Sequence, residues 1–308
     1  MSEKGIVGVD VGGTNIKAAL VVARTIKKRV ILPTKTHQGL RSSIAQIQSA
    51  IEPFIDKANA IGVGIAGIID SRHGIVKYSP NLRGWHDVKL VHILKKKFKK
   101  PVKILNDVNA ICLGEWKYGS AKGYNNVFLF TLGTGVGGAA VCEGKLLFGA
   151  HGFAGEFGHT VIKYNGPKCT CGAFGHLERY AGARFIVARA RRKMRKENSS
   201  LNDYHHITPE IIADEAKRGD SVSKRVFSEI GFYIGIGVAN IINLLDPDVV
   251  IVSGGISRAG NILFEPVRKT VNDRILGKHN RIFKIIPAKL GDDAGILGAA
   301  YFATAYDK

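Results

Sequence analysis

Residues 5–22 read GIVGVDVGGTNIKAALVV. β-rich runs occupy 5–11 and 16–22, and Gly12-Gly13-Thr14-Asn15 between them supplies the residues of a tight connection, so the stretch predicts a hairpin. The pattern restarts in NVFLFTLGTGVGGAAV at residue 126 with an offset of 120. Gly13-Thr14 then matches Gly133-Thr134, Ile16 matches Val136, Ala19 matches Ala139 and Val21 matches Val141. Glycine hairpins also match by chance, but the segments downstream of the two copies support the same organisation. After the first come a strand near 29–36, a helical pattern near 40–58 and the apolar run IGVGIAGIID (61–70), read as one strand. A helix-like stretch at 87–99, the strand VKIL (102–105) and a helix from about 108 complete the first half. After the second copy come helices near 182–197, 207–217 and 221–245, the strand DVVIVSGG (248–255) and a last helix near 293–306. Strands alternating with helices predict an α/β protein.

The expected boundary lies near 117–125, in the turn-rich YGSAKGYNN. This gives domains 1–118 and 119–292, with a closing helix at about 293–308 returning to the first domain.

Composition narrows the class. With 45% hydrophobic and 23% charged residues, the 308-residue chain is neither disordered nor fibrous. Glycine is high, 37 of 308 or about 12% against a usual ~7%. No apolar run reaches the ~18 residues of a membrane span, and the N-terminus does not resemble a signal peptide. A soluble, cytoplasmic protein without a membrane partner is expected.

The net charge of +20 attracts anions. Its densest runs, Lys95–Lys97 with Lys99 and Lys100, and Arg189, Arg191, Arg192, Lys193, Arg195 and Lys196, lack interleaved aromatic residues to stack bases. They read as solvated helix faces, with only non-specific, salt-sensitive affinity for nucleic acid. Cys112, Cys142, Cys169 and Cys171 are too few for a disulfide framework.

Three places carry chemistry. The glycines of Asp10-Val11-Gly12-Gly13-Thr14-Asn15 let backbone N–H groups approach an anion closely, and Asp10 is a candidate Mg²⁺ partner; a ligand-free hairpin is the plainer alternative. Two equivalent turns favour a phosphate clamp, and Ser253-Gly254-Gly255 ends a strand where α/β sheets place ligands. Asn106-Asp107 opens a helix, either as a cap or with Asp107 as a general base for a sugar hydroxyl. GEFGH (155–159) and CTCGAFGHLE (169–178) bring His159, Cys169, Cys171 and His176 within 18 residues. That donor set suits a closed, structural Zn²⁺ site, the alternative being free thiols and loop histidines.

The DxGGTN turn, Pro80-Asn81, Asn106-Asp107, LGTGVGG, GExGH and CxCGxxGxxE succeed one another in this order. On these motifs the chain resembles a sugar kinase of the ROK family over essentially its whole length. The resemblance implies an actin-like, hexokinase-type fold of two RNase-H-like domains with a cleft between them. It further implies Mg-ATP-dependent phosphorylation of a hexose, most closely glucose, with N-acetylmannosamine, N-acetylglucosamine or a broader hexose range as the alternative. Asp107 becomes the catalytic base, and Asn81, Asn106, Asp107, Glu156, His159 and Glu178 surround the sugar. The nucleotide falls to Asp10, Gly12, Gly13, Thr14, Asn15 and Lys17, to Gly133, Thr134, Gly135 and Gly137, and to Gly254 and Gly255. A homodimer or homotetramer is implied as well. Sugar-responsive repressors of the family carry a winged helix-turn-helix before the DxGGT turn; only nine residues precede Asp10 here, which favours the kinase. One departure stands out: the family's CxCGxxGC pattern has cysteine where this chain has His176, also a good Zn²⁺ ligand.

Overall fold

The computed structural model describes residues 4–305. The chain enters through a meander of β1 (Gly5–Val11), β2 (Asn15–Val22) and β3 (Thr25–Pro33), followed by α1 (Leu40–Ile51) and β4 (Ala58–Ile65). Next come β5 (Ile68–Asp70), β6 (Ile75–Tyr78), β7 (His86–Val88), α2 (Leu90–Phe98), β8 (Val102–Asn106) and α3 (Asp107–Tyr118). A second meander comprises β9 (Val127–Leu132), β10 (Val136–Cys142) and β11 (Lys145–Leu146). Then come α4 (Glu178–Ala181), α5 (Ala183–Met194), α6 (Pro209–Arg218), α7 (Ser221–Leu245), β12 (Val249–Ser253), α8 (Asn261–Asn272) and β13 (Lys284–Pro287). The last element is α9 (Ala294–Ala305); the rest of the expected closing helix, 306–308, lies outside the described residues.

The chain divides into two compact units. The first runs to Tyr124, takes in Leu146–Ala154 and resumes at Ala288; the second holds Asn125–Lys145 and Gly155–Pro287. The first unit thus extends past residue 118, recovers a segment from inside the expected second domain, and resumes five residues before 293. Short hairpin excursions and crossover strands carry no compositional mark, so the turn-rich stretch alone located the change only approximately.

Each unit is built on a five-stranded mixed sheet. The first has the order β3-β2-β1-β4-β8, with β1 antiparallel to β2 and parallel to β4, which is parallel to β8. The second has the order β11-β10-β9-β12-β13, with β9 antiparallel to β10 and parallel to β12, which is parallel to β13. Val7, Val9 and Val11 of β1 pair with Ile61, Val63 and Ile65 of β4 on one face of the sheet, and all six are fully buried; the other face presents Gly8 and Gly62, against which α9 packs. The run at 61–70 is not one strand: β4 stays in the main sheet, whereas β5 pairs with β6 in a separate three-stranded sheet with β7. The break falls at Gly67, whose φ of 131° is open to glycine and costly for other residues.

Glycine also explains how tightly the first unit packs. α9 lies on α3 and across β1 and β4. A Cβ at Gly62 of β4 would stand 1.9 Å from the Ala299 carbonyl oxygen, and one at Gly298 would stand 1.7 Å from that of Ala110. Only hydrogen fits at either position. In the second unit, α7 is long and apolar enough to cross a membrane by length and composition, yet it is a core helix. Its Val226, Phe227, Ile230, Ile234, Val238 and Ile242, at helical spacing, are fully buried.

Both basic runs end helices. Lys95–Lys97 form the last turn of α2 and Arg191–Lys193 that of α5, where positive charge is favoured by the helix dipole. Lys97 pairs with Glu52, and Arg189 and Lys193 both pair with Glu229.

Candidate active site

In the first unit, the ends of β1 and β8 bring the predicted residues together. The turn 12–15 closes with the Gly12 N–H donating to the Asn15 carbonyl at 3.0 Å. A Cβ at Gly13 would meet that of Asn81 at 3.3 Å, so the bare glycine lets Asn81 lie against the turn. Asp10 sits opposite Lys17 in the β1–β2 ladder, and Lys17 Nζ lies 3.1 Å from Asp292. The first turn of α9 covers Asp10: a Cβ at Gly295 would stand 3.2 Å from its carboxyl carbon. Burial above all, then repulsion from Asp107, pushes the Asp10 carboxyl up from 3.8 to about 6, against the pull of Lys17. Asp10 and Asp107 are therefore a carboxylate pair within electrostatic reach of each other.

Asn106 is the cap of α3. Its Oδ1 accepts from the N–H of Val108 at 2.8 Å and of Asn109 at 3.1 Å, while Nδ2 donates to the Gly67 carbonyl at 3.0 Å. The same glycine that ends the main-sheet strand thus anchors the cap. Asp107, next along, stands in the helix's first turn, where the dipole favours a carboxylate.

In the second unit, Phe157 fixes the segment carrying Glu156 and His159. Its ring lies 5.2 Å from those of Phe128 and Phe130 on β9. Glu178 opens α4, and its Oε2 accepts from the Val136 N–H at 3.1 Å. A Cβ at Gly135 would stand 2.5 Å from that oxygen, so glycine makes room for the carboxylate. The turn 133–135, the 254–255 loop and the first residue of α5 form one neighbourhood. The Ala183 N–H donates to the Gly133 carbonyl at 2.9 Å, and a Cβ at Gly254 would strike Leu132 backbone at 2.2 Å. Thr134 lies in this turn, and Gly137 is already in β10, its N–H donating to Thr131 Oγ1 at 3.3 Å. A Cβ at Gly255 would lie 3.3 Å from Glu210, a residue the motifs did not flag.

His159, Cys169, Cys171 and His176 converge, with one donor atom from each lying within 4.8 Å of all the others. Nδ1 of His176 is 3.2 Å from Nδ1 of His159 and 3.3 Å from Sγ of Cys171. Zn–N bonds of about 2.0 Å and Zn–S bonds of about 2.3 Å give tetrahedral edges of roughly 3.3–3.8 Å, close to the 3.2 and 3.3 Å separations, while the 4.8 Å limit for the set is wider than such an edge. Burial, then His159, holds His176 below its usual range, with Glu178 opposing. Nε2 of His159 points the other way, 4.0 Å from Glu156. Burial foremost, with Glu178 adding and His159 opposing, pushes the Glu156 carboxyl up.

A model of the ROK family matches residues 6–306. The chain belongs to the ROK family. This ROK protein is 38% identical over 308 residues to a glucokinase of Thermotoga maritima, with 97% of each chain covered. It is 30% identical over 304 residues to a xylose repressor of Bacillus subtilis, covering 95% of this chain and 75% of the repressor. Among solved structures, a ROK family glucokinase from Streptomyces griseus in complex with glucose and AMPPNP is similar with a TM-score of 0.84 and 31% identity. That match spans 96% of this chain and 98% of the other. The mixed α/β sheets are shared with that ROK structure.

Proposed function

We propose that this chain is an ATP-dependent hexose kinase, a glucokinase acting on the 6-hydroxyl of glucose, built as two actin-like, RNase-H-like domains of the hexokinase type. The observation that carries the reading is 38% identity to a glucokinase along 97% of both chains. The repeated strand order of the two main sheets supports the duplicated fold.

A sugar hydroxyl is a poor nucleophile at neutral pH, and a positioned base that takes its proton contributes about 10²–10⁴-fold. Asp107 has that role: its carboxylate accepts the proton as the hydroxyl oxygen bonds to the γ-phosphorus and the bond to ADP breaks. Asn106 positions Asp107 by holding the first turn of α3. In this reading Asn81, Asn106, Asp107, Glu156, His159 and Glu178 are the residues assigned to the sugar's hydroxyls. The turns at 12–15 and 133–137 and the 254–255 loop take the nucleotide, with Lys17 beside the first.

Mg²⁺ suits Asp10, a half-buried carboxylate repelled by a second one. Bound there with the nucleotide, it would supply positive charge to offset that of the phosphates. Zn²⁺ suits the His159, Cys169, Cys171 and His176 set, where it would tie down the loop leading to Glu178.

A coupled ADP-release assay with Mg-ATP over glucose, mannose, N-acetylglucosamine and N-acetylmannosamine tests the reading. Glucose is expected to give the highest kcat/KM. Another sugar in first place overturns the glucokinase assignment but leaves a hexose kinase. Sugar binding without ADP release from any hexose overturns the kinase and favours a sugar-responsive regulator.

A further inference from the structure

Thr34 comes directly after the last residue of β3 and is completely buried. Its hydroxyl donates to the Gly12 carbonyl at 2.7 Å, and its backbone N–H donates to the Thr14 carbonyl at 2.8 Å. One residue therefore holds two carbonyls of the turn 12–15. Both neighbours help to place it: Pro33 has a fixed φ, and Lys35 turns the chain away with a φ of 54°.

A peptide unit is planar and trans, so its carbonyl and its N–H point in opposite directions. The Gly12 carbonyl shares its peptide unit with the N–H of Gly13. Holding the carbonyl toward Thr34 therefore turns the Gly13 N–H to the opposite side of the turn. Without the hydroxyl, the 12–13 peptide can rotate, because glycines at both ends allow φ and ψ that other residues do not. The N–H would then no longer be fixed in advance for an anion.

We propose that Thr34 is a positioning residue for the nucleotide: its buried hydroxyl locks the 12–13 peptide so that the Gly13 N–H is aimed at a phosphate oxygen. The inference rests on the reading that this turn holds the nucleotide phosphates. Thr34 itself touches neither nucleotide nor sugar in this role, and it acts only through the turn.

The experiment compares Thr34→Val, Thr34→Ser and Thr14→Val in the full chain, with KM for ATP and for glucose measured separately and thermal midpoints recorded. Valine keeps the shape of threonine and removes the donor. Thr34→Val should raise the ATP KM about 5- to 30-fold, the effect of stranding one buried carbonyl, and leave the glucose KM within about twofold. Thr34→Ser should restore the ATP KM. A lowered thermal midpoint with both KM values unchanged, or both raised equally, makes Thr34 merely structural and overturns the proposal. If Thr14→Val raises the ATP KM and Thr34→Val does not, the turn binds nucleotide without this brace and the proposal alone fails. If neither moves it, the turn is not the phosphate site and the underlying reading fails with it. Should Thr34→Val not fold, Thr34→Cys, with a weaker donor at similar volume, must raise the ATP KM by an intermediate amount; an unchanged value overturns the proposal.

Discussion

The two hairpin turns share a ladder and differ in everything that surrounds it. In the first unit Val11 pairs with Ile16 and residues 12–15 make the turn; in the second Leu132 pairs with Val136 and residues 133–135 make it. The offset of 120 therefore holds for the returning strands and becomes 121 for the entering ones. The first turn is braced by the buried Thr34 hydroxyl and stands beside the Asp10–Asp107 pair. The second is braced by the first N–H of α5 and by the Glu178 carboxylate. A helix N-terminus favours anions, whereas paired carboxylates favour a cation. A repeated topology is thus held by different partners at its two turns, and the proposed Mg²⁺ role of Asp10 belongs to the first.

The largest test of that difference is Asp107→Asn. It should cut kcat by about 10²–10⁴-fold while the α3 cap, made by Asn106, keeps the fold intact. Wild-type turnover would leave Asp107 a helix-end residue and remove the acidic character of the first site from catalysis.

Zinc tests the second site. One Zn²⁺ per chain is expected by elemental analysis, and Cys169→Ser and Cys171→Ser should each raise the glucose KM sharply. His176→Cys should keep metal and activity, and His176→Ala should weaken both. Because Glu178 lies just past this loop and holds the Val136 N–H, metal removal should speed hydrogen exchange at Val136 and leave Gly12 protected. Metal-free protein with full activity would reduce the cysteines to loop thiols.

Asp10→Asn tests the charge beneath the first turn. With a folded value of about 6 against 3.8, the ionised carboxyl is disfavoured in the folded chain. Above pH ~6 both states are ionised, and the folded one carries a penalty on the order of 2–3 kcal/mol. As pH falls from 6 toward 4 the folded state takes up the proton first, so this group's penalty fades. The Asn variant should therefore be inactive yet more heat-stable than the parent at pH 8, with the advantage shrinking by pH 5. An advantage independent of pH would show that Asp10 is not under this strain.

The smallest effect belongs to the second brace. Ala183 is the first residue of α5, where proline is tolerated, so Ala183→Pro removes the N–H held by the Gly133 carbonyl and little else. A rise of about threefold to tenfold in the ATP KM is expected from a single hydrogen bond. A rise matching that of Thr34→Val would mean the two turns grip the nucleotide equally, and no rise would leave the first turn as the main hold.

Local chemistry made much of the site legible. Asn106 reads as a cap because Asn and Asp satisfy a helix's first N–H groups, and the structure shows that bond pair. The four metal-type donors stand close in sequence, so their convergence needed only a tight loop. Other features had no local signal. The apolar run 61–70 hides its division at Gly67, because a strand leaving one sheet for another keeps the same residue types. The α8 helix and the short β13 strand likewise lack a local signal, since Pro266 inside α8 works against a helical reading.

By itself, the sequence determined the α/β class, the paired hairpins, the family motifs and the metal-type donor set, since each depends on residues near one another in the chain. Only the tertiary structure decided that Thr34 braces a turn 22 residues earlier, that Gly295 of the last helix covers Asp10, and that burial and Asp107 make Asp10 costly to ionise. Those depend on distance and burial between remote segments. No spacing in the chain encodes them until packing has excluded water and brought the segments together.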